Sequence, residues 1–484
     1  MRKPADIKVL GILLGVFALM GVLVALQISI HKPKPQIAKV LVSRAVTVDY
    51  GAKEQIIRGF GGSTGWLGPL TTQQATALFN QANGLGLSIV RVRIDPQGSA
   101  SNHWVTSQWA DELTNATEAM AANPNAIAIA TPWTPPPAFK TGSAPGEPYA
   151  HCNNGLAEGF CGGSLDPSHY ADYARYLKDF IDYFQSGSVK LYAISIQNEP
   201  DASVHWESCF WSGNSYSYHR EQTSNAGSAL DTWIAGNASV VTATGTKLMM
   251  PESMNFNTNF ATDSLNDPKA ASQISIIAGH IYGANPSYYT QAENAGKEVW
   301  MTEHWLNVLA DNWFGPSPST SSIRDALNAA EEIHDSMVTG QYSTYVWWWI
   351  WNKPSYGVNN GLIDSSTTNP APTYFGDAIG QFSKFVQPGY YRYNILPGSP
   401  SRGILISAYS GADQAGSTHY VIVAINESHN AVSQTFAIDN ARVTSMTPYQ
   451  TSSAGGLKPQ AAVSVSGGTF TYSLPAESIT TFVQ

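Results

Sequence analysis

The chain has 484 residues, which is long enough to bury a large core and to form more than one domain. Only 13% of the residues are charged, whereas 11% are aromatic, and rigid aromatic rings with polar edges are well suited to packing against sugar rings. Residues 1–44 carry a net charge of +6, which leaves −15 on the rest of a chain whose total is −9, so the body of the protein lacks the basic surface of a nucleic-acid-binding protein.

The N-terminal segment has the pattern of an export signal. Three basic residues precede an apolar run over residues 9–26 that only glycine interrupts. The 18 residues of this run are just long enough to span a bilayer. No small-residue cleavage site follows, so residues 1–30 are interpreted either as a cleaved signal peptide or as an uncleaved membrane anchor. Both alternatives place the body outside the cytoplasm, after a solvated linker over residues 31–44.

The region from residue 45 to 388 predicts a barrel. After a strand over residues 45–55, strand and helix patterns alternate eight times over residues 56–388, which is typical of a parallel (β/α)8 TIM barrel. Helix start signals lie between the strands, among them the capping-box pair Thr71 and Gln74. The predicted barrel strands are Ile56–Gly62, Leu87–Ile94, Ala126–Trp133, Leu191–Glu199, Lys247–Glu252, Ile274–Tyr282, Glu298–Trp305 and Ser343–Trp351.

The C-terminal region, residues 389–484, has a different pattern. Short apolar strands such as Phe470–Leu474 and Ile479–Val483 follow one another without any helical period. The pair Gly467-Gly468 is a hairpin signal. We therefore predict an attached all-β sandwich, which the strand at residues 45–55 returns to complete.

Two of the predicted barrel strands end in a glutamate. One strand runs into Glu199-Pro200, and proline ends it because proline cannot donate to a sheet ladder. The strand Glu298–Trp305 places Glu303 in a similar position. Because the carboxyl ends of the strands form the catalytic face of a TIM barrel, both carboxylates are expected on one rim. This is the equipment of a glycoside hydrolase, although a rim salt bridge would explain either glutamate alone.

Other residues near strand ends are candidates for the same site. The amide of Asn198 can hydrogen-bond a sugar hydroxyl without adding charge. Arg91 and Arg93 end the second strand, and a cation beside a nucleophilic carboxylate keeps that carboxylate ionised. An ordinary structural ion pair is nearly as good an explanation for either arginine. Tyr282 ends the sixth strand and could donate a hydrogen bond to Glu303.

Tryptophans lie at two further strand ends. Trp133 ends the third strand, and a tryptophan-rich run closes the eighth. Because successive side chains of a strand face opposite ways, Trp347, Trp349 and Trp351 are predicted on one face and Trp348 on the other. The tryptophan nearest the rim is expected to be a platform for a sugar ring.

The chain has three cysteines. Cys152 and Cys161 lie in one glycine-rich loop, and export permits a disulfide between them. Cys209 could instead pair with either of them or remain a buried thiol. No pair of histidines or cysteines shows metal-ligand spacing, so neither a metal nor a cofactor is expected.

Several motifs occur together in one order along residues 45–484. They are Gly59-Phe60-Gly61-Gly62, Ala193–Pro200, Met301-Thr302-Glu303, Tyr345–Trp348 and Phe382–Val386 followed by Pro388-Gly389-Tyr390. This set resembles glycoside hydrolase family 30, and most of all its bacterial xylanase branch.

The resemblance implies a (β/α)8 barrel with an attached β-sandwich and hydrolysis that retains the anomeric configuration. It implies that Glu199 is the general acid/base and that Glu303 is the nucleophile. The residues that it implies at the subsite of the cleaved bond are Asn198, Trp133, Tyr282 and Trp349.

One departure from the family pattern concerns substrate choice. In the glucuronoxylan-specific members, an arginine just after the eighth strand grips the uronic acid of the substrate. Here the chain reads Trp351-Asn352-Lys353-Pro354, without an arginine. Lysine offers a point charge in place of a bidentate fork, so Lys353 is a candidate uronate contact of weaker selectivity.

These features predict an exported, monomeric, retaining endo-β-1,4-xylanase whose partner is the polysaccharide xylan and which does not depend strictly on glucuronic acid branches. Other family 30 activities share the barrel and both glutamates: a glucuronoxylan-specific xylanase, a β-1,6-galactanase, an exo-xylosidase or a glucosylceramidase-like enzyme. A non-catalytic polysaccharide-binding surface protein is the alternative from another class. It would keep the aromatic residues but would not need two strand-end carboxylates.

Overall fold

The computed structural model describes residues 40–96, 105–141, 160–202, 204, 206–211, 223–306, 322–352, 360–365, 369–398, 400–413 and 415–484. The compact unit that contains the elements below is Leu41–Gln484. Within the described ranges, no helix combines the length and apolarity needed to cross a membrane. The apolar run over residues 9–26 lies outside them.

Eight parallel strands close into a barrel in chain order, since each strand pairs with the next and the eighth pairs with the first. The predicted TIM barrel is therefore confirmed. Most observed strands are shorter than predicted, because the last residues of several predictions leave the ladder to form the rim. From first to eighth, the barrel strands are Gly59–Ser63, Ile89–Ile94, Ile127–Pro132, Ala193–Ser195, Lys247–Ser253, Ile274–His280, Glu298–His304 and Thr344–Trp349.

The second barrel strand shows how sequence alternation sorts side chains between two cores. Val90 and Val92 belong to the large cluster between barrel and helices, whereas Ile89 belongs to a small cluster of buried residues in the barrel interior. Since alternate side chains of a strand share a face, Arg91 points into the barrel with Ile89. A fully buried arginine thus lies above the interior apolar layer.

The surrounding helices bury one apolar face each. In Tyr170–Ser186, the residues Tyr173, Leu177 and Phe184 are fully buried at helical spacing. The predicted capping box at Thr71 is present, with both of its hydrogen bonds. The other α-helices are Thr72–Phe79, Ala110–Ala122, Thr223–Asn237, Ser239–Thr242, Asn259–Asn266, Pro268–Ala271, Thr290–Asn294, Ile323–Val338 and Tyr374–Ser383. Single 3-10 turns occur at Thr106–Trp109, Pro137–Phe139 and Pro167–His169.

The second part of the fold is an 11-stranded sheet. Four strands separate Val432–Asp439 from Ser478–Val483 in the sheet order, yet the rings of Phe436 and Phe482 lie 5.3 Å apart. The sheet therefore folds over itself and encloses its own core as a sandwich. Its strands are Leu41–Val42, Val46–Ile56, Tyr391–Leu396, Ile404–Ala412, Thr418–Asn426, Val432–Asp439, Ser445–Ser452, Gly455–Pro459, Val463–Ser464, Thr469–Leu474 and Ser478–Val483. Two short two-stranded ladders lie elsewhere, Lys140–Thr141 with Ser164–Leu165 and Ile363–Asp364 with Ala371–Pro372.

The N-terminal strand completes this sandwich, as predicted. Val46–Ile56 pairs antiparallel with Tyr391–Leu396 and parallel with Val432–Asp439. Within the segment predicted as a linker, Leu41–Val42 also pairs with the sheet. The sandwich is fixed to the barrel through Gln381, whose side chain donates to Thr451 and whose carbonyl oxygen accepts from Thr481.

Candidate active site

Glu303 reaches the barrel interior because the seventh strand is irregular. Met301 pairs with Gly279 and Glu303 pairs with His280, so two residues on one strand oppose one on the other. Such a bulge re-aims the side chain that follows it. Met301 packs in the large cluster between barrel and helices, whereas the Glu303 carboxyl group lies against Arg91 in the barrel interior. The bulge thus turns inward a glutamate that strict alternation would point outward.

Both oxygens of Glu303 accept hydrogen bonds. Arg91 donates from Nη1 to Oε2 at 2.5 Å, and Tyr282 donates its hydroxyl to Oε1 at 2.9 Å. Burial raises the pKa of Tyr282 well above its usual value, so the phenol keeps the proton that it donates. The predicted contact between Tyr282 and the glutamate is present.

The structure distinguishes the two arginines of the second strand. Arg91 also donates from Nη2 to Oδ1 of Asn198 at 2.7 Å, and its guanidinium lies 4.6 Å from the centre of a Trp133 ring. Arg93 instead forms ion pairs with Glu207 and Asp95. Arg91 therefore joins the residues around Glu303, and Arg93 is held by other carboxylates.

Glu199 lies in the turn after the short fourth strand. Its φ of +46° is in the left-handed region, which is uncommon for a residue with a side chain. Its backbone N–H donates to the carbonyl oxygen of Glu252 at 2.9 Å, and its own carbonyl accepts from the N–H of Ala202 at 2.9 Å. These bonds hold the strained turn and place the Glu199 carboxyl group on the rim that carries Glu303.

The two carboxyl groups lie close together. One oxygen of Glu199, one oxygen of Glu303 and a ring nitrogen of His280 are all within 4.8 Å of one another. These atoms could surround a cation, but hydrogen bonds from Arg91, Tyr282 and His280 already engage them. Burial raises the pKa of Glu199 to about 7, with repulsion from Glu303 adding to it and the hydrogen bond from His280 opposing it.

Two buried residues of this network were not among the predicted site residues. His280 faces Glu199, with 3.0 Å between Nδ1 and Oε1, and Glu252 lies beneath both. A sequence signal existed for Glu252, because the fifth predicted strand also ends in a glutamate, as the strands of Glu199 and Glu303 do. His280 precedes Tyr282 by two residues, which places both near the same strand end.

Tryptophans surround the rim. The Trp133 ring centre lies 4.9 Å from that of Trp66 and 5.4 Å from that of Trp348. Trp349 stacks on Trp348 with ring centres 5.3 Å apart, and Trp305 packs edge-on against Trp349. Trp348 and Trp349 are both partly exposed, so this cluster offers aromatic surface beside the carboxylates. Trp66 was not predicted as a site residue, although it closely follows the end of the first predicted strand, Ile56–Gly62.

The predicted alternation of the tryptophans is wrong at Trp349. Trp347 turns toward Phe375 of the helix Tyr374–Ser383, with ring centres 5.1 Å apart. Trp349 stacks instead on Trp348, from the opposite predicted face. The ladder with the first strand slips between Trp347 and Trp349, so the two-residue period ends there.

Lys353 and Cys152 lie outside the described residues. Cys161 is disulfide-bonded, whereas Cys209 is a buried free thiol whose pKa burial raises to about 11. The pairing of Cys152 with Cys161 stays a prediction.

The chain is similar to known proteins over nearly its whole length. A model of the glycosyl hydrolase family 30 TIM-barrel domain matches residues 107–301. The glucuronoxylanase XynC of Bacillus subtilis (strain 168) is 33% identical in an alignment 493 residues long, which covers 99% of each chain. The chain belongs to glycosyl hydrolase family 30. The resemblance seen in its motifs is thereby confirmed, and the protein is a glycoside hydrolase.

Solved structures agree with this family 30 assignment. The subfamily 8 xylanase Xyn30A from Clostridium acetobutylicum has a TM-score of 0.74 and 36% identity, over 91% of this chain and 99% of that one. A family 30 endoxylanase from Clostridium papyrosolvens C71 has a TM-score of 0.74 and 32% identity over the same shares. The family 30 hydrolase is thus related to xylanases along the barrel and the sandwich together.

Proposed function

We propose that the protein is a retaining endo-β-1,4-xylanase that cleaves plant xylan without strict dependence on glucuronic acid branches. The observation that carries the mechanism is the approach of Glu199 and Glu303 oxygens within 4.8 Å. Retaining glycosidases hold their two carboxyl groups about 5–5.5 Å apart, whereas inverting ones need about 6.5–9.5 Å to admit a water molecule. The close approach supports direct attack on the sugar.

The surroundings of the two glutamates support different roles. Arg91 and Tyr282 fix both oxygens of Glu303, which suits a carboxylate nucleophile that must meet the anomeric carbon in one orientation. Glu199, with a pKa of about 7, can be protonated when the leaving oxygen departs. Once the leaving group has taken that proton, the Glu199 carboxylate can remove a proton from the water that releases the sugar.

The order of product anomers tests this mechanism. A retaining enzyme releases the β-anomer first from a β-linked xylan, and proton NMR follows that anomer before it equilibrates in water. Appearance of the α-anomer first would contradict the proposed double displacement. The chemistry of Glu303 can be tested separately by trapping the glycosyl–enzyme with a fluorinated xyloside and mapping the labelled peptide.

The relatives and the rim support xylan as the substrate. Two solved structures that resemble the chain, at 36% and 32% identity, are described as xylanases. The partly exposed rings of Trp348 and Trp349 can pack on the faces of xylose units. Asn198 accepts from Arg91 through Oδ1, so its NH2 group can donate to a sugar hydroxyl. Product analysis on xylan, β-1,6-galactan, β-1,6-glucan and aryl xylosides distinguishes an endo-xylanase from the other activities of the family.

A xylanase that strictly requires glucuronic acid branches is the second candidate function, because the Bacillus relatives are named glucuronoxylanases. Our proposal rests on Lys353, since lysine cannot form the bidentate contact of an arginine with a carboxylate. We expect xylan stripped of uronic acid to be cleaved and Lys353→Ala to retain activity on it. If stripped xylan is refused and Lys353→Ala loses activity on glucuronoxylan, the glucuronoxylan-specific function is the correct one.

We further propose that the enzyme is exported and acts as a monomer. The support for export is the basic flank and apolar run over residues 9–26. Because the sheet begins at Leu41–Val42, deletion of residues 1–39 is expected to leave a folded enzyme with unchanged kcat. Light scattering of this deletion variant measures its mass. A dimer, or loss of folding on deletion, would contradict this part of the proposal.

A further inference from the structure

A third glutamate lies directly beneath the catalytic pair. Glu252 belongs to the fifth barrel strand, and its side chain is 0% exposed, so it cannot touch a polysaccharide. Its φ of +54° is left-handed, and the ladder with the sixth strand slips between Ala278 and Gly279 beside it. The chain thus accepts local strain to turn this carboxylate into the barrel interior.

The side chain of Glu252 meets the partners of both catalytic glutamates. Its Oε1 lies 3.3 Å from Nη2 of Arg91, the guanidinium that donates to Glu303. The same oxygen lies 3.7 Å from Nε2 of His280, the ring whose Nδ1 faces Glu199. One buried carboxylate therefore stands behind the nucleophile and behind the acid/base.

Further contacts fix Glu252 in this position. Thr131 donates its hydroxyl to Oε2 at 3.0 Å, and the backbone carbonyl oxygen of Glu252 accepts the N–H of Glu199. Within the part of the chain that the structure describes, Oε1 of Glu252 and Nε2 of His280 are both buried and neither is in hydrogen-bond geometry with a partner, and the two atoms lie 3.7 Å apart. Moving either atom by less than about 1 Å would close them into a hydrogen bond.

The charges of this network support one another. Burial alone would raise the pKa of Glu252, but Arg91 and His280 lower it to about 2. Burial alone would lower the pKa of His280, but the carboxylates of Glu303, Glu199 and Glu252 raise it to about 9. Glu252 is thus an anion and His280 an imidazolium at neutral pH. The titratable or charged groups around Glu252 and His280 are Arg91, Glu199, Tyr282 and Glu303.

We propose that Glu252 is a positioning residue for both catalytic glutamates: it holds Arg91 against Glu303 and holds His280, as a charged donor, against Glu199. This inference rests on the proposed roles of Glu199 and Glu303. Its consequence concerns Glu199 most directly. The imidazolium lowers the pKa of Glu199 against the effect of burial, so that Glu199 can also ionise and act as the base in the second half of the reaction.

Glu252→Gln keeps the size of the side chain and removes its charge. Without that charge His280 loses its proton more readily, and a neutral ring no longer lowers the pKa of Glu199. The basic limb of the pH profile of kcat/KM on xylan should then move upward by about 1 pH unit or more. At pH 6 kcat should fall at least about tenfold, because deglycosylation needs ionised Glu199, and KM should fall with it, because slow deglycosylation lowers both constants together.

The matched control is Glu298→Gln. Glu298 lies at the opposite end of the strand that carries Glu303, where it pairs with Arg58 at 2.5 Å. It is also a strand glutamate with an arginine partner, so its loss should lower stability and leave the pH profile unchanged. A basic limb that stays in place in Glu252→Gln, or moves equally in Glu298→Gln, would overturn the proposal.

A measurement on the wild-type enzyme covers the case in which Glu252→Gln does not fold. Nitrogen-15 NMR of the imidazole, assigned with His280→Gln, should find both ring nitrogens of His280 protonated at pH 7.5. A neutral ring at that pH would overturn the proposal. A failure of the proposed acid/base role would look different. If Glu199 is not the acid/base, Glu199→Gln keeps the basic limb of the pH profile. If only the present inference is wrong, Glu199→Gln changes the basic limb and Glu252→Gln does not.

Discussion

Replacing Glu199 by glutamine should remove acid assistance while keeping the shape of the site. Burial and repulsion from Glu303 raise the pKa of Glu199 from 4.5 to about 7. At pH 6 a carboxyl group with a pKa of 7 is about 90% protonated, whereas one with a pKa of 4.5 is about 3% protonated. The environment of Glu199 thus increases its acid form about thirtyfold, and loss of a general acid costs roughly 10²–10⁴-fold in rate.

The assay compares two substrates across the pH range. On xylan, Glu199→Gln should lose its basic limb near pH 7, and kcat/KM should fall by about 10²–10⁴-fold. A dinitrophenyl xylobioside has a leaving group that needs no proton, so its kcat/KM should change only a few-fold. Its kcat should still fall, because release of the sugar needs a base.

Glu112→Gln is the control for this experiment. Glu112 is also buried with a raised pKa, chiefly because of burial, but it lies on the helix Ala110–Ala122 and accepts hydrogen bonds from Thr64 and Asn115. Its variant should keep the pH profile of the wild type. The reasoning is refuted if Glu199→Gln retains both its rate and its basic limb, or if the dinitrophenyl substrate loses as much kcat/KM as xylan does.

Two predictions concern stability, each measured by denaturant or thermal unfolding. Gly61→Ala should destabilise the protein by about 1–3 kcal/mol or more, because its Cβ would lie 2.1 Å from the carbonyl oxygen of Ile89. Gly236→Ala lies in a helix where, apart from its chain neighbours and the adjacent helix backbone, no described atom is within 4 Å of the new Cβ, so it should stabilise the protein by about 0.5–1 kcal/mol. Equal effects of the two substitutions would contradict this argument. Burial raises the pKa of Asp377 from 3.8 to about 7, so the folded state loses stability as pH rises through this window. Asp377→Asn should therefore stabilise the protein by up to about 4 kcal/mol above pH 7 and by little near pH 4, and a gain independent of pH would contradict the assignment.

Patterns in the sequence were enough to predict the architecture and the two catalytic candidates. Eight strand–helix alternations predict the barrel because each parallel strand needs a crossover before the next. Pro200 ends the fourth strand and so predicts that Glu199 lies on the rim. Short alternating strands without helices predict the sandwich. The pattern that marks each single strand, helix or turn is local, since it depends on residues close together in the chain.

Which of these residues meet depends on contacts between segments that are far apart in the chain. Arg91 and Arg93 have the same local pattern, yet only Arg91 contacts Glu303, which is 212 residues away along the chain. The inward turn of Glu303 comes from register slips between strands, and so does the face that Trp349 presents. A two-residue period records which face a strand buries and does not record where its ladder slips. For that reason the buried carboxylate of Glu252 becomes part of the site only when the barrel closes.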